Sequence, residues 1–153
     1  MNPLNRRQFI KTALVATTIG TICSSFVTFA AWPEKAYLKD SVDGVLDELY
    51  GTNTVADSDK VSIKSPAIAE NGAVVPITIK TSLPNVESIS ILVKNNPNPL
   101  VARFNLGPTS KGKVNTRIKI GESSDVVAVV QSNGKLYRTT NYVKVTIGGC
   151  GGG

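Results

Sequence analysis

The stretch Asp125-Val126-Val127-Ala128-Val129-Val130-Gln131-Ser132-Asn133-Gly134-Lys135-Leu136-Tyr137 decides the fold class. An unbroken apolar run from Val126 to Val130, rich in β-branched side chains, is the pattern of a strand buried on both sides or near the centre of a sheet. Asn133-Gly134 follows it, the dipeptide that closes a two-residue hairpin because both positions tolerate positive φ. From Tyr137 to Ile147 the chain reads as the return strand, with Val143, Val145 and Ile147 facing one way and Lys144 and Thr146 the other. Period-two alternation of this kind is a strand signal.

The same period recurs upstream as far as Lys60. Val75, Ile77 and Ile79 alternate with polar or smaller residues, as do Ile89, Ile91 and Val93, then Leu100, Ala102 and Phe104, then Val114, Thr116, Ile118 and Ile120. Asn71-Gly72, Leu83-Pro84-Asn85, the segment 95–99 and Gly107-Pro108 punctuate these runs. About seven short strands at such spacing predict an all-β, immunoglobulin-like antiparallel β-sandwich over residues 60–147. Pro76 inside a strand pattern predicts an edge or a bulge at that point.

Before the strands the period is helical. Leu38, Val42, Val45, Leu46 and Leu49 line one helix face, Asp40 or Ser41 can cap its start, and Gly51 stands where a left-handed residue ends it. A helix this short must lie on something to be stable. Thr52 to Asp59 reads as a polar linker, so residues 31–59 are expected to form a helix and linker ahead of the sandwich.

Composition removes whole classes of chemistry. The 153 residues include no histidine and only two cysteines, Cys23 and Cys150. Histidine-dependent nucleophile pairs, imidazole metal sites, and zinc or iron–sulfur sites built from one chain's thiolates are therefore excluded. Glu87, Glu122 and Asp125 read as turn or solvent-face residues, and Tyr137 and Tyr142 as strand packing. The expectation is a protein with no catalytic residue, no metal and no cofactor.

The formal charge of +6 is unevenly distributed: without Arg6, Arg7 and Lys11, 14 basic residues face 11 acidic ones, a net of +3. The remaining cations alternate with apolar positions along the chain, which predicts a mixed, solvated surface and no nucleic-acid partner.

Residues 1–30 read as an export signal. Asn5-Arg6-Arg7-Gln8-Phe9-Ile10-Lys11 precedes an uncharged apolar stretch from Ala13 to Ala31. The Arg6-Arg7 pair with Phe9, Ile10 and Lys11 resembles the twin-arginine class. Hydroxyl residues and Gly20 dilute the apolar stretch, which weakens the alternative of a retained membrane anchor. Thr28-Phe29-Ala30 offers small residues for cleavage after Ala30, leaving a periplasmic protein without a membrane anchor. Lipidation at Cys23 is disfavoured, since Thr21 and Ile22 do not make a lipobox.

The other end of the chain carries the chemistry. Gly148-Gly149-Cys150-Gly151-Gly152-Gly153 follows the last strand directly, and no core or ladder suits such a segment. After cleavage Cys150 is the sole cysteine, so an internal disulfide is impossible. The expectation is a flexible carrier arm over residues 148–153, with Cys150 about 10 Å beyond Ile147 when extended. With no activating neighbour, a thiol of pKa ~8.5 is only slightly ionised at neutral pH. Such a thiol suits carrying a group that other proteins transform.

The C-terminal Gly-Gly-Cys-Gly-Gly, the preceding Val143-Lys144-Val145-Thr146-Ile147, the segments Ile68 to Pro76 and Asp125 to Val130, and the leader together resemble the SoxY family of thiosulfate-oxidation sulfur carriers. Gly153 extends the family's ending by one residue. The resemblance implies an immunoglobulin-like fold and a heterodimer with a co-exported, signal-less SoxZ-like β-protein. It also implies a periplasmic cycle of sulfur species on Cys150. A SoxAX-like cytochrome conjugates thiosulfate, a SoxB-like hydrolase releases sulfate, and a sulfane dehydrogenase oxidises the remaining sulfur. Two other readings stay open. One is an exported thiol-redox protein, disfavoured by the missing resolving cysteine. The other is an immunoglobulin-like interaction module linked to a partner through Cys150.

Overall fold

The computed structural model describes residues 33–146. The leader with Arg6 and Arg7, and the terminal segment with Ile147, Cys150 and Gly148, Gly149, Gly151, Gly152 and Gly153, lie outside the described residues.

Among the described residues two helices come first, α1 over Glu34–Tyr37 and α2 over Val42–Tyr50. Ser41 caps α2, its Oγ accepting from Gly44 N–H at 3.2 Å. Gly51 ends α2 at φ 68° and returns its N–H to Asp47 O at 2.9 Å. Both caps agree with the sequence reading. Leu38 does not: it lies between the helices, 71% exposed, and Ala36 takes the buried position on that side. The cause is the Ser41 cap, which starts the helix downstream of Leu38.

Nine strands follow: β1 Ala56–Asp57, β2 Val61–Lys64, β3 Ile68–Ala69, β4 Val75–Thr81, β5 Val86–Val93, β6 Leu100–Asn105, β7 Lys113–Ile118, β8 Ser124–Ser132 and β9 Lys135–Val145. The larger sheet runs β1-β9-β8-β5-β6, with β3 also on β9, and the smaller runs β2-β4-β7. Ladders among the seven longer strands are antiparallel, giving the immunoglobulin-like sandwich. The two-residue strands depart from the expectation, since both pair parallel to β9. β1 falls within the stretch read as linker; it is too short to carry a period, and only β9's open edge defines it.

Asn133 and Gly134 close the β8–β9 hairpin with φ of 50° and 68°, the left-handed pair of a type I′ turn. Pro76 lies on β4 opposite Arg117, past the last β2 pair, Lys64↔Thr78. Its ring therefore replaces no ladder donor, as an edge position requires.

The core has two compartments. Between the sheets lie Ile77, Ile79, Ile89, Ile91, Val93, Ile120, Val126, Ala128, Val130 and Val143. On the outer face of the larger sheet, Val45 and Leu46 of α2 pack with Leu92, Leu100, Val127, Val129 and Leu136. β8 is thus covered on both faces, as its dense apolar run predicts. β5 is also covered on both, which its alternation conceals: Ser88 and Ser90 are buried. Tyr50 of α2 explains them, its hydroxyl lying 2.8 Å from Ser90 Oγ and 3.4 Å from Ser88 Oγ. Ser88 also donates to Gln131 Oε1 at 3.2 Å, and the Arg103 guanidinium sits 5.1 Å over the Tyr50 ring.

The surface corrects one further expectation. Cations that alternate along the chain gather in space, because alternation sends every second residue of a strand to one face. Lys64, Lys80, Lys113 and Arg117 all emerge on the outer face of the smaller sheet, and all are exposed.

Candidate functional site: the root of the C-terminal segment

β9 outruns its partner. The β8–β9 ladder ends at Ser124↔Val143, yet the chain stays hydrogen-bonded through Val145 on the β8 side and through Thr146 on the other. On the β8 side, Ser123 Oγ accepts from Val145 N–H at 2.9 Å and donates to Val145 O at 3.3 Å. One hydroxyl thus satisfies both backbone groups of a residue that has no strand partner there. On the other side, Lys144 N–H donates to Ala67 O and Thr146 N–H to Ala69 O, each at 3.0 Å. β3 exists to make this contact, since its register is Ile68↔Lys144 and Ala69↔Val145.

Gly72 closes the root from within the sandwich. Its carbonyl accepts from Ile120 N–H at 2.7 Å. A Cβ on Gly72 would run into the Ile120 carbonyl and stand 2.9 Å from Val145 Cγ1. Only glycine allows that approach. Val145 in turn packs on the inter-sheet core. Three loops therefore converge on the last described turn of chain.

Ile68, Lys144 and Tyr142 share the outer face of the sheet beside this root, and Ile68 and Tyr142 are each 57% exposed. Tyr142 therefore does not pack as the strand reading expects: the helical layer covers Val127, Val129 and Leu136 and leaves it open. Tyr137 does pack, against the inter-sheet core.

Cys150 follows Thr146 by four residues, a reach of about 13 Å when extended. It, its glycines and the Arg6-Arg7 pair are the predicted site residues, and all of them lie outside the described residues. Sequence reasoning missed Ser123, Gly72 and the Ile68–Ala69 strand. Asn71-Gly72 was visible only as turn punctuation, and nothing in Glu122-Ser123-Ser124 signals a clamp. A cleft of about 610 Å³, lined by residues 81–87, 106–108 and 110–112, lies at the opposite end of the sandwich. Among the described residues no group of His, Cys, Asp or Glu is placed to hold a metal, and no helix is long and apolar enough to cross a membrane.

The fold defines an immunoglobulin-like protein, and comparison with known proteins adds a place in sulfur oxidation. The family model described as sulfur oxidation protein SoxY matches residues 46–150. The chain belongs to the SoxY family, which gives it a carrier role in sulfur oxidation. It is similar to the solved structure of the sulfur carrier protein SoxY from Chlorobium limicola f thiosulfatophilum, with 41% identity and a TM-score of 0.64 over 70% of this chain and 97% of that one. A chain from a structure described as the structural basis of T cell specificity and activation by the bacterial superantigen toxic shock syndrome toxin-1 also matches at 11% identity and a TM-score of 0.40, covering 56% of this chain and 99% of that one, a likeness too slight to bear on function. No curated protein matches the chain.

Proposed function

We propose that this chain is a periplasmic sulfur carrier that holds thiosulfate-derived groups on Cys150 and performs no catalysis itself. The observation that supports it most is the grip on β9 through Thr146, immediately ahead of Gly-Gly-Cys. A rigid root on a short glycine segment presents a thiol at a defined distance from the sandwich. Glycine lets that segment enter a narrow channel.

The chemistry is distributed among visitors. A cytochrome joins thiosulfate to the thiol, forming an S–S bond while the thiol proton goes to solvent and two electrons pass to the cytochrome's haem irons, one electron to each iron reduced. A hydrolase then adds water across the S–S(O₃) bond, releasing sulfate and leaving a persulfide on Cys150. A sulfane dehydrogenase oxidises that outer sulfur. A SoxZ-like β-protein is the proposed heterodimer partner, and the exposed Ile68 and Tyr142 favour a covered apolar surface near the root. The Arg6-Arg7 leader is the proposed export signal, with cleavage after Ala30.

Intact mass spectrometry of protein from cells oxidising thiosulfate tests this. Several masses are expected, differing by sulfur, sulfite or thiosulfate, and collapsing on reduction to the bare mass, apart from any over-oxidised thiol. Cys150→Ser should give one mass and support no turnover. Full turnover by Cys150→Ser would eliminate the carrier mechanism.

A further inference from the structure

The outer face of the β2-β4-β7 sheet carries Ser62 and Lys64 from β2, Pro76, Thr78 and Lys80 from β4, and Lys113, Asn115 and Arg117 from β7. It holds four cations and no carboxylate; Asp59, beside Lys60, is the acid at its border. None of the four is in either ion pair found among the described residues, which are Lys39–Glu48 and Arg138–Asp57. Lys80 and Lys113 stand directly opposite each other in the ladder, an arrangement that works against the sheet. The helical side of the molecule has the reverse character, with Glu34, Asp40, Asp43, Asp47 and Glu48 against Lys35 and Lys39.

Lysines on β2 and β7 can be read as guards against edge-to-edge aggregation. That role does not reach Lys80, which is on the central strand, and glutamate would serve it equally well. It leaves the single sign of charge and the Lys80–Lys113 pairing unexplained. A permanent protein interface does not fit either, because the centres of such interfaces are depleted of charge. A solvated face of one sign fits a partner that comes and goes, drawn in by its opposite charge.

One end of the face lies beside the root. Arg117 precedes by three residues Ile120, which bonds Gly72, and Gly72 abuts Val145. At about 3.3 Å per residue that separation is roughly 10 Å, comparable to the reach of Cys150 beyond Thr146. Lys80 and Lys113 stand at the far end of the face, roughly 23 Å from Ile120, so a partner covering the whole face extends to the root. A protein seated on this face would have the thiol within range.

We propose that the Lys64–Lys80–Lys113–Arg117 face is the docking surface for an acidic rim around the active-site channel of the enzymes that act on Cys150. The proposal rests on the carrier reading and supplies the partner's surface chemistry. One basic face serves several enzymes in turn, since each needs only a carboxylate-rich border. Encounter is then fast and short-lived, and the segment bearing Cys150 delivers its cargo from a body already held.

The test measures association rates of the Cys150→Ser protein, in complex with its heterodimer partner where one is present, with the sulfate-releasing hydrolase of the same system. Using Cys150→Ser keeps docking separate from carriage. Lys80→Glu/Lys113→Glu and Lys64→Gln/Arg117→Gln should each slow association about tenfold at low salt and flatten its dependence on ionic strength. With Cys150 intact, the same variants should raise KM for the carrier and leave kcat unchanged. Lys80→Glu alone should hold or raise the melting temperature, because it turns a like-charge pair into an opposite one. Unchanged association rates and salt dependence would overturn the proposal. So would a wild-type face that binds duplex DNA or phosphatidylserine vesicles as tightly as the hydrolase, or a charge reversal whose only effect is to abolish self-association in ultracentrifugation. If instead docking behaves as expected but Cys150 gains no sulfur adducts, the carrier reading fails and the docking surface stands.

Discussion

Ser123 Oγ holds both backbone polar groups of Val145, accepting from its N–H at 2.9 Å and donating to its carbonyl at 3.3 Å. β8 supplies no backbone partner at this point, so a side chain replaces one rung of the ladder. The path of the chain into the segment bearing Cys150 is set by that hydroxyl on one side and by Ala67 and Ala69 on the other.

Ser123→Ala removes this rung. Loss of about 1 kcal/mol of stability is expected, together with faster amide exchange at Val145 and Thr146 and little change in the hairpin at Asn133-Gly134. Equal exchange rates at Val145 in the two proteins would mean that the clamp is not what holds β9's end.

Gly72→Ala places a methyl group between Ile120 and Val145. A destabilisation of about 1–3 kcal/mol is expected from the forced displacement. Gly107→Ala is the control, because a Cβ there meets nothing within 4 Å, and it should be near neutral. Denaturant titration of both variants decides the matter; equal midpoints would contradict the close approach at Gly72.

Tyr50→Phe keeps the ring under Arg103 and deletes the hydroxyl that serves Ser90. Ser90 is fully buried, whereas Ser88 retains Gln131. A loss of about 1–2 kcal/mol is expected from the unsatisfied serine, and Tyr50→Phe/Ser90→Ala should recover most of it. Failure of the double variant to recover would place the cost in the helix packing.

Burial holds the Tyr37 phenol above its ordinary range, against the opposing pull of a hydrogen bond to the Arg103 backbone and of the Arg103 charge. A raised pKa means that the folded state keeps its proton when the unfolded state has lost it. Stability from this group is therefore complete below the ordinary tyrosine pKa of about 10 and is lost as pH rises through the folded value. Thermal melts should fall more steeply above that pH for wild type than for Tyr37→Phe. Parallel curves would show that ionisation of Tyr37 is not coupled to unfolding.

Local signals in the sequence carried the elements. Val126 to Val130 announced a central strand, Asn133-Gly134 its turn, and Ser41 and Gly51 the ends of α2, because each depends on contacts within a few residues. The chemical character of the two termini was equally legible: a paired-arginine leader pattern and a cysteine set among glycines are facts of covalent sequence. β3 and Ser123 were not legible, since a two-residue strand and a serine clamp have meaning only once β9 outruns β8. Ser88 and Ser90 were visible only as the polar half of an alternation, and Tyr50, about forty positions earlier, covers them. Lys64, Lys80, Lys113 and Arg117 read as scattered until two antiparallel pairings brought them to one face. Sequence by itself determined which residues alternate, turn and cap, and where the cysteine stands among its glycines. Only the tertiary structure decided which faces are covered and which charges meet, because those depend on pairings between segments that sequence distance does not reveal.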